Sequence, residues 1–323
     1  MSIDRLEFEE PINLVIEEIE GLLKLTQTPQ RQEEIEQLRS KAESLRAKIY
    51  SSLGPWQHVL VARHPSRPTI LDYINYLFTD FTQISGDRRF SDDPAMIAGF
   101  AVYKKMPVLI VGHHKGGSDT KQKIYRNFGY ARPEGYRKAL RAMKLAEKFN
   151  RPIIAFIDTP AAYPGIESEE RGIAEAIANN LREMSVLEVP VVVVVHGEGG
   201  SGGALGIAVG DRILMHEFGI YSVIPPEGCA AILWRDANRK VEASEALSLT
   251  APDLLRLGII DTIVPEPIGG AHSNPAEAAT LLDLPLEQTL KEIQSLDPEE
   301  RLEQRYQKFR HMGDIGLTEV TKD

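Results

Sequence analysis

The sequence predicts an α/β protein whose sheet is covered by helices, and three observations carry that expectation. Short runs are almost wholly apolar: Pro152 to Asp158, Pro190 to Val195, Ile213 to Met215 and Ile259 to Val264. Such runs fit strands buried on both faces, whereas a half-exposed strand would alternate. Between them lie amphipathic stretches at helical spacing, one through Tyr136, Ala139, Leu140, Met143, Ala146 and Phe149, another through Ile173, Ile177, Leu181 and Met184. Glycine, proline and small residues gather where strands hand over to helices, which is where α/β folds place their sites.

Taken in order, Pro11 to Tyr50 reads as a helical hairpin. Ile35, Leu38, Ala42, Leu45 and Ile49 recur at steps of three and four among charged residues. The break is Thr26-Gln27-Thr28-Pro29, where Thr28 can cap a helix and Pro29 suits its first turn. With no cluster of reactive groups, this arm is expected to pack or to contact another subunit. Met96 to Tyr103 and Pro107 to Gly112, joined by Lys104-Lys105, read as a β-hairpin. A helix starts at Pro133, and the chain is helical again from Asn274 through LEQTLKEIQSL to RYQKFRHMG. The expected units are a helical arm over 1–60, a core over 61–270 and a helical tail over 271–323; no fixed-period repeat is present.

The chain has 323 residues, enough for one large domain or two average ones, with 37 basic and 47 acidic side chains and a net charge of −10. Cys229 is the only cysteine, so neither an internal disulfide nor a cysteine-built metal site is available, and no other metal site is visible. The acidic start, interrupted by Pro11, is unlike a signal peptide, and no apolar run approaches the roughly 20 residues of a membrane span. A cytoplasmic location is expected, with no membrane contact. Between Lys104 and Arg151 thirteen cations face three acids, a local +10 that fits an anionic partner such as coenzyme A phosphates or an acidic carrier. The helical part, Arg137 to Lys148, reads as a solvated face, while Lys121, Lys123 and Arg126 sit in a loop-like segment and are ligand candidates. The acidic total and the lack of a recognised module argue against nucleic acid.

The strongest local signal is the all-valine run ending in His196-Gly197-Glu198-Gly199-Gly200-Ser201-Gly202-Gly203-Ala204. Glycines let a ligand reach the main chain, and amides at a helix start can stabilise an oxyanion or a phosphate. Close helix-on-strand packing is the plainer account. Gly197-x-Gly199-x-x-Gly202 with Glu217 fits a dinucleotide fingerprint, and Gly199-x-Ser201-x-Gly203 with Asp261 and His272 fits a hydrolase elbow. Two further loops leave strand ends: Asp158-Thr159-Pro160-Ala161-Ala162-Tyr163-Pro164-Gly165, and Pro225-Pro226-Glu227-Gly228-Cys229, which can aim Glu227 at the same cleft. Cys229 reads as a buried small hydrophobe, and His113, His114, His196 and Glu198 read as structural polar groups.

Together FIDTPAAYPG, GEGGSGGALGIAVGD, YSVIPPEGCAAILW and IIDTIVPEPIGGAH resemble the alpha subunits of bacterial acetyl-CoA carboxylase carboxyltransferase. ARHPSRPTILDYI, GDRRFSDD, GHHKG, KIYRNFG and PEGYRKALR precede them in the family's order. The resemblance runs from about Phe8 to Pro275. It implies a crotonase-type (ClpP/crotonase) β–β–α spiral with an N-terminal helical hairpin and C-terminal helices. It also implies transfer of a carboxyl group from carboxybiotin, held on a separate carrier protein, to acetyl-CoA, giving malonyl-CoA for fatty acid biosynthesis. In that reading the amides of Gly202 and Gly203, with Ala204 adjoining, form the oxyanion hole for the biotin ureido oxygen. Thr159, Pro160, Ala161, Ala162, Gly199, Gly200, Ser201, Glu227 and Gly228 line the substrate site, with Lys121, Lys123 and Arg126 toward anionic groups. The implied partners are a zinc-ribbon beta subunit, the biotin carboxyl carrier protein and biotin carboxylase, with two alpha and two beta subunits assembled. Two positions depart from the family pattern: Ala161 stands where it has glycine, and GHHKG replaces GHQKG. If position 161 needs a positive φ, alanine costs about 1 kcal/mol or more there. The alternatives are a serine hydrolase built on Ser201 and a non-enzymatic scaffold that presents a carrier.

Overall fold

The computed structural model describes residues 6–26 and 28–314. Gln27, within the expected break of the hairpin, and the ends of the expected arm and tail lie outside them. Helices α1 (Glu10–Leu23) and α2 (Pro29–Tyr50) form the hairpin. Val15 and Ile19 pack on Ile35 and Ala42, and Thr28 Oγ1 accepts the Arg31 amide at 3.3 Å to cap α2. Helices α3 (Pro55–Ala62) and α4 (Ile70–Leu77) lead into the sheet; the sequence reading did not resolve either.

The strands are β1 (Thr79–Gln83), β2 (Met96–Tyr103), β3 (Met106–His113), β4 (Ile153–Thr159), β5 (Val191–Gly200), β6 (Arg212–His216), β7 (Ile220–Ser222) and β8 (Thr262–Val264). Their order is β1-β2-β3-β4-β5-β6-β8, with β7 paired to the end of β5. The first three are antiparallel and the remainder parallel. The β2–β3 hairpin turns on Lys104 and Lys105, at φ 45° and 73°, the left-handed pair that a two-residue hairpin turn needs. Helices α5 (Thr120–Tyr125) and α6 (Pro133–Lys148) cross from β3 to β4, and α7 (Ile166–Glu170) and α8 (Ile173–Ser185) from β4 to β5. After β5 comes the five-residue α9 (Ser201–Leu205); α10 (Pro226–Trp234), α11 (Lys240–Ala246) and α12 (Ala251–Arg256) precede β8. Helices α13 (Pro275–Ser295) and α14 (Pro298–His311) close the described chain.

The all-valine run shows why the sheet is buried twice. Val191, Val193 and Val195 enter the core that includes Tyr136, Met143 and Met184 of α6 and α8. Val192 and Val194 enter the opposite core with Ile70, Tyr73, Leu286 and Leu290 of α4 and α13. Alternate side chains of one strand therefore feed two apolar layers, and a polar residue at either face would be stranded. No described helix is long and apolar enough to cross a membrane.

One expectation is overturned in part. The basic face of α6 is solvated only toward its end, at Lys144 and Lys148; Lys138 is fully buried, with Nζ 2.6 Å from Asp92 and 2.7 Å from the Asp93 carbonyl. Arg137 pairs with Asp87 at 2.8 Å, and Arg141 donates to the Gly86 carbonyl at 2.8 Å. The helix directs these cations to one loop, residues 85–93, because that loop buries Asp87 and Asp93 and buried carboxylates need partners.

Lys105 is exposed and holds a backbone conformation that glycine adopts without steric cost. Lys105→Gly is expected to stabilise the chain by about 0.5–1 kcal/mol, read as a higher urea midpoint at unchanged m; an unchanged or lower midpoint contradicts the turn assignment.

Candidate active site

Two loops meet where β4 and β5 end. The strands are parallel neighbours up to Ile157, after which the register shifts and Thr159 pairs with Gly199. A Cβ on Gly200 would penetrate the Pro160 carbonyl and lie 2.9 Å from that of Thr159. One on Gly203 would overlap the Ala162 amide and lie 2.9 Å from Ala161 Cα. The two loops touch backbone to backbone only because these positions are glycine. Gly202 is different: a Cβ there would meet nothing closer than Ile177 Cδ1 of α8 at 3.9 Å, an ordinary contact.

The carbonyl side of this turn is held from behind. Tyr136 Oη donates to Gly203 O at 2.9 Å, and Asn180 Nδ2 donates to Gly206 O and Tyr136 O, both at 3.0 Å. Both side chains are buried. Thr159 Oγ1 lies 2.8 Å from the carbonyls of Gly129 and Ala161, tying the first loop to the segment after α5. Ala161 does not occupy the left-handed region, so alanine at this position carries no backbone strain. The second departure is absorbed as well: His114 Nδ1 accepts the Gly116 amide at 2.9 Å, as a glutamine carbonyl oxygen could.

Beside the turn opens a cavity of about 600 Å³ lined by Arg63, Lys115, Asp158, Pro160, Glu198 and Glu227 among others. Its charges form one chain of contacts. Lys115 Nζ lies 2.8 Å from Asp158 and 3.0 Å from Glu198; Arg63 reaches Glu198 at 2.7 Å and Glu227 at 2.8 Å. Burial works to raise the Asp158 and Glu198 carboxyls, and the Lys115 ammonium, with Arg63 at Glu198, outweighs it and holds both below the usual range. Burial works against the Lys115 charge, and the two carboxylates outweigh it in turn. The cavity therefore offers fixed, ion-paired polar groups, two cations against three carboxylates, suited to a polar ligand without large net charge.

Of the residues singled out from sequence, Pro160, Glu227 and Lys123 line this cavity. Thr159, Ala161, Ala162, Gly199, Gly200, Ser201, Gly202, Gly203 and Ala204 lie on the two touching loops. Gly228 stands next to Glu227 in α10. Arg126 belongs to an adjoining cleft and donates to the Pro94 carbonyl at 2.8 Å. The Lys121 amide is bonded to Asp119, and its side chain lines neither space. Sequence reasoning did not single out Arg63 and Lys115. The signal was present, since each sits within a quoted motif, Arg63 two residues before Pro65 and Lys115 next to Gly116.

Both weak motifs fail on geometry. Asp261 accepts the Ile213 amide at 2.6 Å and pairs with Lys308, and the His272 ring stacks on His64 at 3.8 Å, so neither is turned to Ser201. Ser201 itself holds φ 54°, at the junction of strand and helix, without a base. The dinucleotide reading fails because α9 is five residues long, too short to carry a pyrophosphate-binding helix, and Glu217 accepts the Glu266 amide at 3.2 Å.

Against known proteins, the family described as acetyl co-enzyme A carboxylase carboxyltransferase-like matches residues 5–313. An acetyl-coenzyme A carboxylase carboxyl transferase subunit alpha of Geobacter metallireducens is 54% identical over 309 residues, 95% of this chain and 97% of that protein. One from Halalkalibacterium halodurans is 54% identical over 313 residues, 96% of each. Among solved structures, transcarboxylase 12S superposes with TM-score 0.53 at 19% identity, covering 67% of this chain and 41% of that one. A subunit of a Pseudomonas malonate decarboxylase hetero-tetramer gives 0.57 at 14%, covering 72% and 92%. These likenesses carry the fold, a crotonase-type spiral in place of an open dinucleotide-binding or hydrolase sheet.

Burial lowers the pKa of six histidines: His113, His216 and His272 to about 3, His114 and His196 to about 4, and His58 below its usual value. Unfolding exposes them to water, where imidazole titrates near 6.5. The unfolded chain thus binds more protons, and stability must fall as pH drops below about 6.5 toward 4. Thermal unfolding is expected to show a falling Tm between pH 7 and 5; a flat profile over that interval overturns the buried-neutral assignment.

Proposed function

This chain belongs to the acetyl-CoA carboxylase carboxyltransferase family, and from that membership we propose that it is the alpha subunit of a cytoplasmic carboxyltransferase. With a beta subunit it moves a carboxyl group from carboxybiotin on a carrier protein to acetyl-CoA, making malonyl-CoA for fatty acid biosynthesis. The observation that carries the reading is near-full-length identity above 50% to proteins of that name, in a chain whose glycine turn starts a helix directly from the end of a buried strand.

The residues fit a planar ureido group. Gly202 presents no side chain, and the neighbouring cavity ends in ion-paired polar groups. When bound, the carrier's carboxybiotin supplies the carboxyl group and gathers negative charge on its ureido oxygen as that group leaves. The amides of Gly202 and Gly203, with Ala204 adjoining, are the donors assigned to that oxygen. They neither titrate nor need to move, and removing one such donor costs on the order of 3 kcal/mol at a transition state. Tyr136 and Asn180 keep α9 in place by engaging its carbonyls, so the amides are fixed before substrate arrives. Thr159, Pro160, Ala161 and Ala162 form the opposite wall. Pro160 and Glu227 border the cavity that Lys123 reaches. In this reading Gly199 and Gly200 end the strand below the turn, and Lys121 and Arg126 stand farther out.

An incomplete site fits a two-subunit enzyme. Ile124, Tyr125 and Phe128 after β3, and Val223, Ile232 and Leu233 around α10, are 50–77% exposed. These segments also supply Lys123, Phe128 and Glu227 to the cavity, so a partner covering them would close it. The reading places a zinc-ribbon beta subunit there, in an assembly of two alpha and two beta chains that works with the carrier protein and biotin carboxylase.

The decisive measurement is malonyl-CoA-dependent carboxylation of a free biotin analogue by this chain, by the beta subunit and by both. Activity is expected only in the mixture; none in a mixture that forms a complex overturns the reading. Ser201→Ala should retain most activity, whereas Gly202→Val should lower kcat by about a hundredfold or more with a smaller loss of Tm than a change at Gly203, since a Cβ at Gly202 makes only an ordinary contact with Ile177. Gly203→Val should lose activity and stability together, because its side chain would strike the Ala161–Ala162 backbone.

A further inference from the structure

The loop at residues 85–93 is held more tightly than its place between two strands requires. Asp87 Oδ1 accepts the amides of Arg89, Phe90 and Ser91 at 2.9, 2.8 and 3.1 Å, and Oδ2 takes Arg137 Nε at 2.8 Å. The Gly86 amide donates to Asp92 at 2.8 Å, and Arg141 holds the carbonyls of Ser85 and Gly86 at 3.0 and 2.8 Å. Within this frame Arg88 sits at φ 63°, a conformation that favours glycine or asparagine. Among the described residues, neither Arg88 nor Arg89 has an ion-pair or side-chain hydrogen-bond partner, and both are exposed.

The two arginines border a cleft of about 330 Å³ whose other walls are Arg137, Arg141, Lys144 and Leu140 of α6 and Glu175 and Asn179 of α8. Five cations there face two acids. Arg137 neutralises Asp87, and Lys144 is taken up by Glu147 at 3.2 Å and Glu183 at 3.0 Å. The charge at the cleft that no carboxylate meets is therefore that of Arg88, Arg89 and Arg141, whose guanidinium bonds only neutral carbonyls, opposed by Glu175 alone. A residue needed only to complete the turn would be glycine; an arginine kept at positive φ on a rigid frame is kept for its side chain.

We propose that this cleft binds a phosphate monoester, gripped by the Arg88 and Arg89 guanidinium groups. Guanidinium suits phosphate because its planar donors bind two oxygens at once, and the cleft volume suits a phosphate with a small attached group. The phosphate comes either from the nucleotide end of a coenzyme or from free phosphate in solution. The site lies on the α6–α8 face, apart from the glycine turn, and does not depend on transferase activity.

The test titrates the full chain at low ionic strength with inorganic phosphate, adenosine 3′,5′-bisphosphate and adenosine, following the arginine Nε–Hε signals by NMR. Saturable shifts of two arginine signals are expected with both phosphates and not with adenosine, with Kd on the order of 1 mM or tighter. Arg88→Gly combined with Arg89→Ala should weaken binding at least tenfold. Arg88→Gly alone should weaken it while raising Tm by about 1–2 °C, since glycine relieves the backbone. Tighter binding of the bisphosphate assigns the site to a nucleotide-borne phosphate, and equal binding to free phosphate. Absence of saturation, or unchanged affinity in the double variant, overturns the proposal. Because binding is read without turnover, its failure and that of the transferase reading are distinguishable.

Discussion

The structure turns on a contact that side chains would forbid: the backbone of the glycine turn lies directly against the backbone of the loop after β4. A methyl group at Gly200 or Gly203 would overlap main-chain atoms that have nowhere to go, because they belong to the end of a doubly buried strand and to a loop pinned by Thr159. Once the two backbones touch, much else follows. The β4–β5 register must shift after Ile157, Ser201 must take the left-handed conformation, and α9 must begin at once. A short helix started this way is poorly secured by its own hydrogen bonds. Tyr136 and Asn180, reaching in from α6 and α8, supply the hold that its length denies it.

The same close approach creates an electrostatic difficulty that the neighbouring charges resolve. Asp158, next to last in β4, sets its carboxylate against Gly197, where any Cβ would overlap it, and accepts the Glu198 amide at 2.9 Å. Glu198 brings a second buried carboxylate within reach of the first. Two such charges would repel and protonate without a cation between them, and Lys115, arriving just past the end of β3, occupies that place. Arg67 does the equivalent deeper in, donating to the His196 carbonyl at 2.7 Å while gripping Glu266 at 2.9 and 2.5 Å. Buried pairs of this kind add little net stability. What they contribute here is position, because each cation ties a strand end to a loop.

What the sequence made legible follows from how local the physics is. The hairpin arm, the β2–β3 hairpin, helices α6 and α8 and the buried β4, β5 and β6 were readable because periodicity and apolar runs are local signals. Helices α3 and α4 were not read, being eight residues each, too short for a period to declare itself. The glycine turn was legible as exposed backbone; its partner was not, since nothing in the string says that Gly200 faces Pro160. Arg63 and Lys115 were hidden for the same reason, as their acidic partners lie 135 and 83 residues away. Asp261 and His272 show the converse error, where spacing along the chain suggested a constellation that tertiary partners prevent.

Charge counting illustrates the limit most plainly. Thirteen cations between Lys104 and Arg151 looked like a surface for an anion. Folded, Lys115, Arg137, Lys138 and Lys144 are committed to carboxylates, and Arg126 and Arg141 to backbone carbonyls. A sum along the sequence measures the demand of the interior as much as the field at the surface. The field that remains near α6 belongs to Arg88 and Arg89, outside the basic stretch and held in place by it, together with Arg141, bonded only to neutral carbonyls, and the exposed Lys148. The abundant cations thus act as framework, and the scarce uncommitted ones are left to face solvent.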